Sequence, residues 1–90
     1  MFTATETCYI LEFERFPQHG YLFYDRDVAM TWSDICSLFN RSYVHILIKG
    51  ECLKDNVVTD KTELREYLRQ HLHAKLDETQ LAITKLLLLQ

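Results

Sequence analysis

Residues 7–25, TCYILEFERFPQHGYLFYD, decide the fold class of this chain because they predict a β-hairpin. Their first half alternates aromatic or aliphatic residues with Glu12 and Glu14, which is typical of a strand with one buried face. Pro17–Gly20 predicts the turn, since proline presets φ and glycine accepts a positive φ. Residues 21–24, YLFY, predict the second strand.

A helix and a further strand are predicted to follow the hairpin, which residues 25–27 close. Thr31 with Asp34 three residues later is typical of a capping box, so we expect the helix to begin at Thr31. It is expected to stop at Asn40. Residues 43–48, YVHILI, are a β-branched apolar run and predict a central strand that is covered on both faces. The apolar face of the helix is expected to contain Trp32, Ile35, Cys36 and Phe39.

The remainder of the chain predicts a short hairpin and two helices. Residues 52–53 and 57–58 are apolar, and they flank residues 54–56, which form a turn by composition. Asp60 with Glu63 forms a second capping-box pattern and is expected to open the longest helix. The leucines of this helix recur every fourth residue and predict a stripe that packs on the sheet: Leu64, Leu68, Leu72 and Leu76.

A break near residues 76–78 and a last helix are expected after that stripe, because Asp77 and Gln80 can cap a new helix. The order of elements predicts an α+β fold. It consists of a small, mainly antiparallel sheet, made by the N-terminal hairpin, the central strand and the short hairpin, with a helix after the first hairpin. A long helix and a C-terminal helix are expected to pack against this sheet. Ninety residues predict a single domain, residues 1–90.

The composition narrows the classes of function. Ten Lys and Arg residues against thirteen Asp and Glu residues leave a formal charge of −3, so we expect no general attraction to nucleic acid or anionic lipid. The three cysteines are too far apart for a CxxC pair and predict buried thiols in a reducing compartment. The chain shows no secretory signal pattern, and its apolar C-terminal run is shorter than the roughly 20 residues that span a bilayer. We therefore expect a cytoplasmic protein.

The C-terminal run LAITKLLLL, residues 81–89, is the strongest candidate for a functional site. Successive helical residues are about 100° apart, so consecutive leucines point nearly all round the axis and one neighbouring surface cannot cover them. Burying each leucine stabilises by roughly 1.5–3 kcal/mol, which predicts a second surface from the chain's own core, an identical copy or another protein. The expected protein interface consists of Leu81, Ile83, Leu86, Leu87, Leu88 and Leu89.

A basic stripe and a helix-turn-helix pattern define an alternative function, the binding of nucleic acid. Lys61, Arg65 and Arg69 recur every fourth residue along one side of the long helix, where they can meet phosphates or form a charged rim of the protein interface. The same stripe is typical of a solvated helix face on which arginine pairs with glutamate. Residues 31–49 loosely fit a helix-turn-helix with residues 42–49 as the reading helix, although β-branched residues there favour a strand.

No set of residues predicts an enzyme, a metal site or a cofactor. Cys36 and His45 are the best candidates for a nucleophile and base, but Asp34 would point away from Cys36 on the same helix. His71 and His73 would lie about 200° apart on a helix and could not share a metal ion. We therefore expect a non-enzymatic protein that needs no cofactor.

The leading expectation is a small protein-binding module of the inhibitor or adaptor kind that acts through its apolar C-terminal helix. Its partner is a different protein or a second copy of the chain, as in a homodimer, and the sequence leaves these two open. Binding of nucleic acid through residues 31–49 or through the basic stripe is the alternative, and no contact with a membrane is expected.

Overall fold

The computed structural model describes residues 3–52 and 57–90, apart from the side chains of residues 16–18. The chain divides into two compact units, Met1–Thr59 and Asp60–Gln90. The described residues form a four-stranded, mostly antiparallel sheet and three helices, which confirms the predicted α+β class. The prediction of one domain over residues 1–90 stays a prediction.

The first unit contains the sheet and the first helix. Its strands are ordered β3-β1-β2-β4, and neighbouring strands are antiparallel except β2 and β4, which are parallel. β1 is therefore a central strand, and β3 lies at one edge among the described strands. The elements are β1 Cys8–Phe13, β2 Phe16–Phe23, α1 Arg26–Cys36, β3 Ser42–Leu47 and β4 Val57–Val58.

The hairpin of β1 and β2 is confirmed, but the predicted turn at Pro17–Gly20 is wrong. Phe13 pairs with Phe16, so the chain turns at residues 14–15. The register shifts within the hairpin because residues 17–19 have no partner in β1. Such an irregularity accepts proline, which has no N–H group to donate to a neighbouring strand. The turn-like composition of this segment therefore marks a bulged part of β2.

Gly20 is buried in β2 between two neighbouring strands, opposite Glu12 of β1 and Val57 of β4. A Cβ atom at this position would lie 2.6 Å from the Cγ2 atom of Ile10, which is closer than packed carbon atoms can approach. Glycine is therefore required at position 20 because any larger residue would collide with the Ile10 side chain. Its ability to form a turn, on which the sequence prediction relied, plays no part in the strand.

Helix α1 begins five residues earlier than predicted. Asp25 is its N-cap, and the Asp25 carboxylate accepts a hydrogen bond from the Val28 backbone N–H at 3.1 Å. Thr31 lies inside the helix, where its hydroxyl donates to the Asp27 carbonyl, so the predicted capping box at Thr31 is wrong. Aspartate is a strong N-cap residue, and its position after β2 suits this role. The helix ends at Cys36, four residues before the predicted stop.

Helix α1 packs on one face of the sheet. The rings of Phe23 and Trp32 lie 6.3 Å apart between centroids, and Phe13 meets Tyr21 edge to face at 6.4 Å. The predicted apolar face of the helix is confirmed for its three buried members, Trp32, Ile35 and Cys36. Phe39 is half-buried in the turn that follows the helix.

A second cluster of buried side chains lies on the opposite face of the sheet. Because successive strand residues point to opposite faces, β1 contributes alternate side chains to the two clusters. This second cluster consists of Ala4, Cys8, Ile10 and Leu22, with Leu47 and Val57 partly buried against it.

β3 confirms the predicted strand near residues 43–48, but its predicted place in the centre of the sheet is wrong. It pairs with β1 in full register, from Ser42 opposite Phe13 to Leu47 opposite Cys8, and it is the edge of the described sheet. Its residues are half-buried or exposed rather than covered on both faces. An apolar run indicates a strand, but β1 is equally apolar and takes the central place.

The predicted short hairpin at residues 52–58 is also wrong. Val57 and Val58 form β4, which pairs in parallel with β2 at Gly20 and Tyr21. Cys52 instead makes an isolated antiparallel bridge with Thr3. The predicted turn at residues 54–56 lies outside the described residues.

The second unit consists of α2, Thr62–Gln70, and α3, Glu78–Leu88, which contact each other. α2 has nine residues and is shorter than α1 and α3, so the prediction that it is the longest helix is wrong. Leu64 and Leu68 of the predicted stripe are buried, whereas Leu72 and Leu76 follow the helix and are half-buried. Packing of this stripe on the sheet stays a prediction. Across the described parts of the chain, no helix has the length and apolar character that a membrane span requires.

The cap predicted for α3 is confirmed. The Asp77 carboxylate accepts from the Gln80 backbone N–H at 2.7 Å, and the Gln80 amide oxygen accepts from the Asp77 N–H at 3.1 Å. The cap predicted for α2 is displaced, because Lys61 is its N-cap. Asp60 accepts from the Thr62 N–H and hydroxyl, and these bonds lower the pKa of the Asp60 carboxyl.

Candidate functional site

One side of α3 carries a line of exposed apolar residues. Ala82, Leu86 and Leu89 follow the spacing i, i+4, i+7, which places them on one side of a helix. Leu86 is 62% exposed and Leu89, the C-cap of the helix, is 84% exposed. We call these three residues the leucine face.

The six residues of the predicted protein interface lie in three different environments. Leu87 is only 1% exposed and belongs to the interior of the protein. Leu81, Ile83 and Leu88 are half-buried. Leu86 and Leu89 are the members that lie open to solvent. Leu86 and Leu89 of the leucine face are therefore the part of the predicted interface that is available to a partner.

The predicted charged rim consists of Lys61, Arg65 and Arg69, and the two arginines have contacts within the second unit. The Arg65 Nε atom donates to the Gln90 carbonyl, beyond the last turn of α3. Arg69 forms an ion pair with Glu66, as expected for a solvated helix face. Partial burial lowers the pKa of Lys61, and the neighbouring Arg65 adds to this effect. Arg65 and Arg69 thus already serve local contacts.

The helix-turn-helix interpretation of residues 31–49 is wrong. Residues 42–47, which would begin the reading helix, form β3 and pair with β1. The β-branched composition of this run agrees with the strand. Binding of nucleic acid through the basic stripe stays a prediction.

The open edge of β3 is a second candidate surface, which the sequence analysis missed. The Arg41 carbonyl accepts a hydrogen bond from the Glu14 N–H at 3.0 Å and continues the ladder between β1 and β3. In an antiparallel pair, the peptide groups of successive residues point alternately toward and away from the partner strand. The odd-numbered residues of β3 therefore turn their peptide groups toward β1. Ser42, Val44 and Ile46 turn theirs toward the open edge.

Local contacts engage backbone groups at both ends of this open edge. At one end, the Ser37 hydroxyl donates to the Ser42 carbonyl. At the other end, the Ile48 N–H donates to the Glu51 carboxylate at 3.1 Å, and the Ile48 carbonyl accepts from the Glu51 N–H. The peptide groups of Val44 and Ile46, between these ends, face no other strand of the described sheet. We call residues 44–46 the open segment of β3.

The side chains around the open segment are unusually apolar for an edge strand. Tyr43 is 47% exposed, Ile46 is 55% exposed, and His45 is also exposed. Natural sheet edges are commonly protected by lysine, proline or inward-pointing charge, and β3 contains none of these. The opposite edge of the sheet, β4, has only two residues. β3 is thus the longer and less protected of the two edges.

The cysteines divide by exposure, and this argues against Cys36 as a nucleophile. Burial raises the pKa of Cys36 to about 12, so its thiolate is roughly a thousandfold rarer at neutral pH than that of an ordinary cysteine. Burial, with the carboxylates of Glu51 and Glu6, also raises the pKa of Cys8. Cys52 is exposed, and none of the three cysteines forms a disulfide.

A maleimide reagent at neutral pH is expected to modify Cys52 rapidly and to leave Cys8 and Cys36 unmodified in the folded protein, because only the Cys52 thiol is open to solvent. Mass spectrometry over time checks this: one addition should occur early, and three only after denaturation. Cys52→Ser is the control and should remove the early addition. Early modification of Cys36 would contradict the burial of its side chain.

The histidines show no arrangement for metal binding. The Tyr67 carbonyl oxygen lies 2.7 Å from the His71 Nδ1 atom and accepts a hydrogen bond from it, and the His71 ring lies against the Tyr67 ring. Among residues 3–52 and 57–90, no three histidine, cysteine, aspartate or glutamate side chains are grouped so that they could hold a metal ion.

Comparison with protein family models, curated proteins and solved structures finds no match to this chain. The functional argument therefore rests on the two surfaces that the chain itself presents, the leucine face of α3 and the open segment of β3.

Proposed function

We propose that this chain is a small, non-enzymatic protein-binding module that places its leucine face in an apolar groove of a partner protein. The exposure of Leu86 and Leu89 on a well-capped helix is the observation that carries this proposal. Amphipathic helices bind grooves through anchors at this spacing. An inhibitor or adaptor acting in the cytoplasm fits the three free thiols, which suit a reducing compartment.

The exposed leucines can contribute a measurable part of the binding free energy of such an interface. Burying a leucine side chain stabilises by roughly 1.5–3 kcal/mol, so the two exposed leucines contribute about 2–4 kcal/mol after their partial burial in the free protein is considered. That range corresponds to about thirtyfold to a thousandfold in Kd. The half-buried Leu81, Ile83 and Leu88 flank these anchors on the same helix.

The partner is first identified by a photo-crosslinking amino acid at position 86 of the intact chain. The purified partner is then titrated with the parent protein and with Leu86→Gln/Leu89→Gln. We expect this double variant to bind about thirtyfold to a thousandfold more weakly, because it removes both exposed anchors. Calorimetry or fluorescence anisotropy measures the two values of Kd.

The matched control removes the same number of exposed apolar side chains elsewhere. Met30 and Leu38 are 38% and 47% exposed in the first unit, so Met30→Gln/Leu38→Gln changes surface hydrophobicity without touching α3. The control should bind with unchanged Kd. Equal weakening by the two double variants, or no weakening by the α3 variant, would contradict the proposal.

A further inference from the structure

We infer that β3 pairs with β3 of a second copy of this chain, antiparallel and across a twofold axis at His45, so that two four-stranded sheets join into one continuous sheet. This inference is independent of the leucine face. It rests on the edge position of β3 and on the open peptide groups of Val44 and Ile46. An unprotected strand edge is a template for a further strand.

The pattern of open peptide groups defines the register. Val44 and Ile46 lie symmetrically on either side of His45, so a twofold axis there places Val44 of each copy opposite Ile46 of the other. Each such pair exchanges two hydrogen bonds, which satisfies both open N–H groups and both open carbonyls of each copy. A shift by one residue on each strand would place Val44 opposite Ile48, whose peptide groups already bond to Glu51.

Side chains support the same register. The β-branched side chains of Val44 and Ile46 become neighbours across the new pair, and Tyr43 lies opposite Leu47 of the second copy. Cross-strand pairs of aromatic or β-branched residues are favourable contacts between neighbouring strands. No formally charged residue lies within β3, so association brings no charge into the middle of the joined sheet.

The charged residues lie beyond the two ends of the strand. This register places Lys49 of one copy opposite Arg41 of the other. The Arg41 Nε atom lies 3.3 Å from the Glu14 carboxylate, so Lys49 approaches an ion pair rather than a single cation. The second copy is favoured over an unrelated extended peptide because the same short strand supplies matching donors, acceptors and side chains on both sides of the axis.

Disulfide trapping tests the inference on the full chain. The background variant is Cys52→Ser, which removes the exposed native thiol. The two His45 residues form a pair without mutual hydrogen bonds, with Cα atoms about 4.5 Å apart, which a disulfide can span. We expect His45→Cys in this background to form a disulfide-linked dimer on mild oxidation, seen by non-reducing electrophoresis.

Tyr43→Cys in the same background is the matched control. Tyr43 lies on the same side of the strand and is also exposed, but the two copies of it would be four residues apart along the strands, about 14 Å. This variant should therefore remain monomeric on denaturing gels. Equal dimer formation by the two cysteine variants would overturn the inference, and so would preferred crosslinking of Ile46→Cys, which requires a different register.

Light scattering supplies a test without new cysteines. The parent protein should be dimeric at high concentration, and His45→Lys should be monomeric because two cations would face each other across the axis. His73→Lys, an exposed substitution in the other unit, should remain dimeric. A monomeric parent protein at every concentration would overturn the inference. A dimer that survives His45→Lys but is lost in Leu86→Gln/Leu89→Gln would overturn it in favour of association through α3.

Discussion

Leu87→Ala is expected to lower the free energy of unfolding by about 2–5 kcal/mol, whereas Leu86→Ala should change it by less than about 0.5 kcal/mol. Leu87 is 1% exposed, so its truncation removes buried apolar contacts and leaves a cavity. Leu86 is largely in water, so its truncation removes little. Urea unfolding of the intact chain, followed by the helical circular dichroism signal, measures both values.

The two variants control each other. They make the same chemical change at adjacent positions of α3, so the change in helix propensity is nearly the same and their difference reports burial. Equal destabilisation by the two substitutions would show that Leu86 is covered in the isolated protein. That result would also remove the exposed anchor on which the proposed partner binding depends.

Trp32→Ala is expected to lower the stability of the protein by about 3–5 kcal/mol. The Trp32 side chain is fully buried beneath α1, where its ring packs against Phe23 of β2. Because domains of this size are stable by roughly 5–15 kcal/mol, the variant should be only marginally folded. Urea unfolding at low temperature and a separate thermal scan, both followed by far-ultraviolet circular dichroism, measure the loss of stability.

Met30→Ala is the control for this experiment. Met30 lies on the same helix two residues away and is 38% exposed, so its truncation should cost less than about 1 kcal/mol. A Trp32→Ala variant as stable as Met30→Ala would mean that α1 does not pack on the sheet through its tryptophan. The side of the helix that faces β2 would then have to be different.

The sheet shows how far the sequence could predict the fold. Alternating and β-branched residues were sufficient to predict a hairpin within residues 7–25 and a strand near residues 43–48. They could not predict which apolar strand is central, because β1 and β3 have similar compositions. The position of β3 at the edge depends on which strands pair, and this distinction determines the candidate dimer surface.

The helix ends show a similar division between local and long-range information. The Asp77–Gln80 capping box is confirmed because both of its hydrogen bonds join residues three positions apart. The start of α1 was mispredicted because Thr31–Asp34 has the same pattern as a cap but lies within a helix that Asp25 begins. When two capping patterns lie close together, residue types alone do not select between them.

The sequence by itself determined the class of fold, the approximate strands and the cap of α3, because these depend on backbone preferences and on contacts between residues a few positions apart. It also showed that four consecutive leucines cannot all face one surface. The tertiary structure decided that Leu87 is buried, that Leu86 and Leu89 are exposed, and that β3 has an open edge. Burial and strand order depend on which distant segments meet, and a local pattern does not specify that.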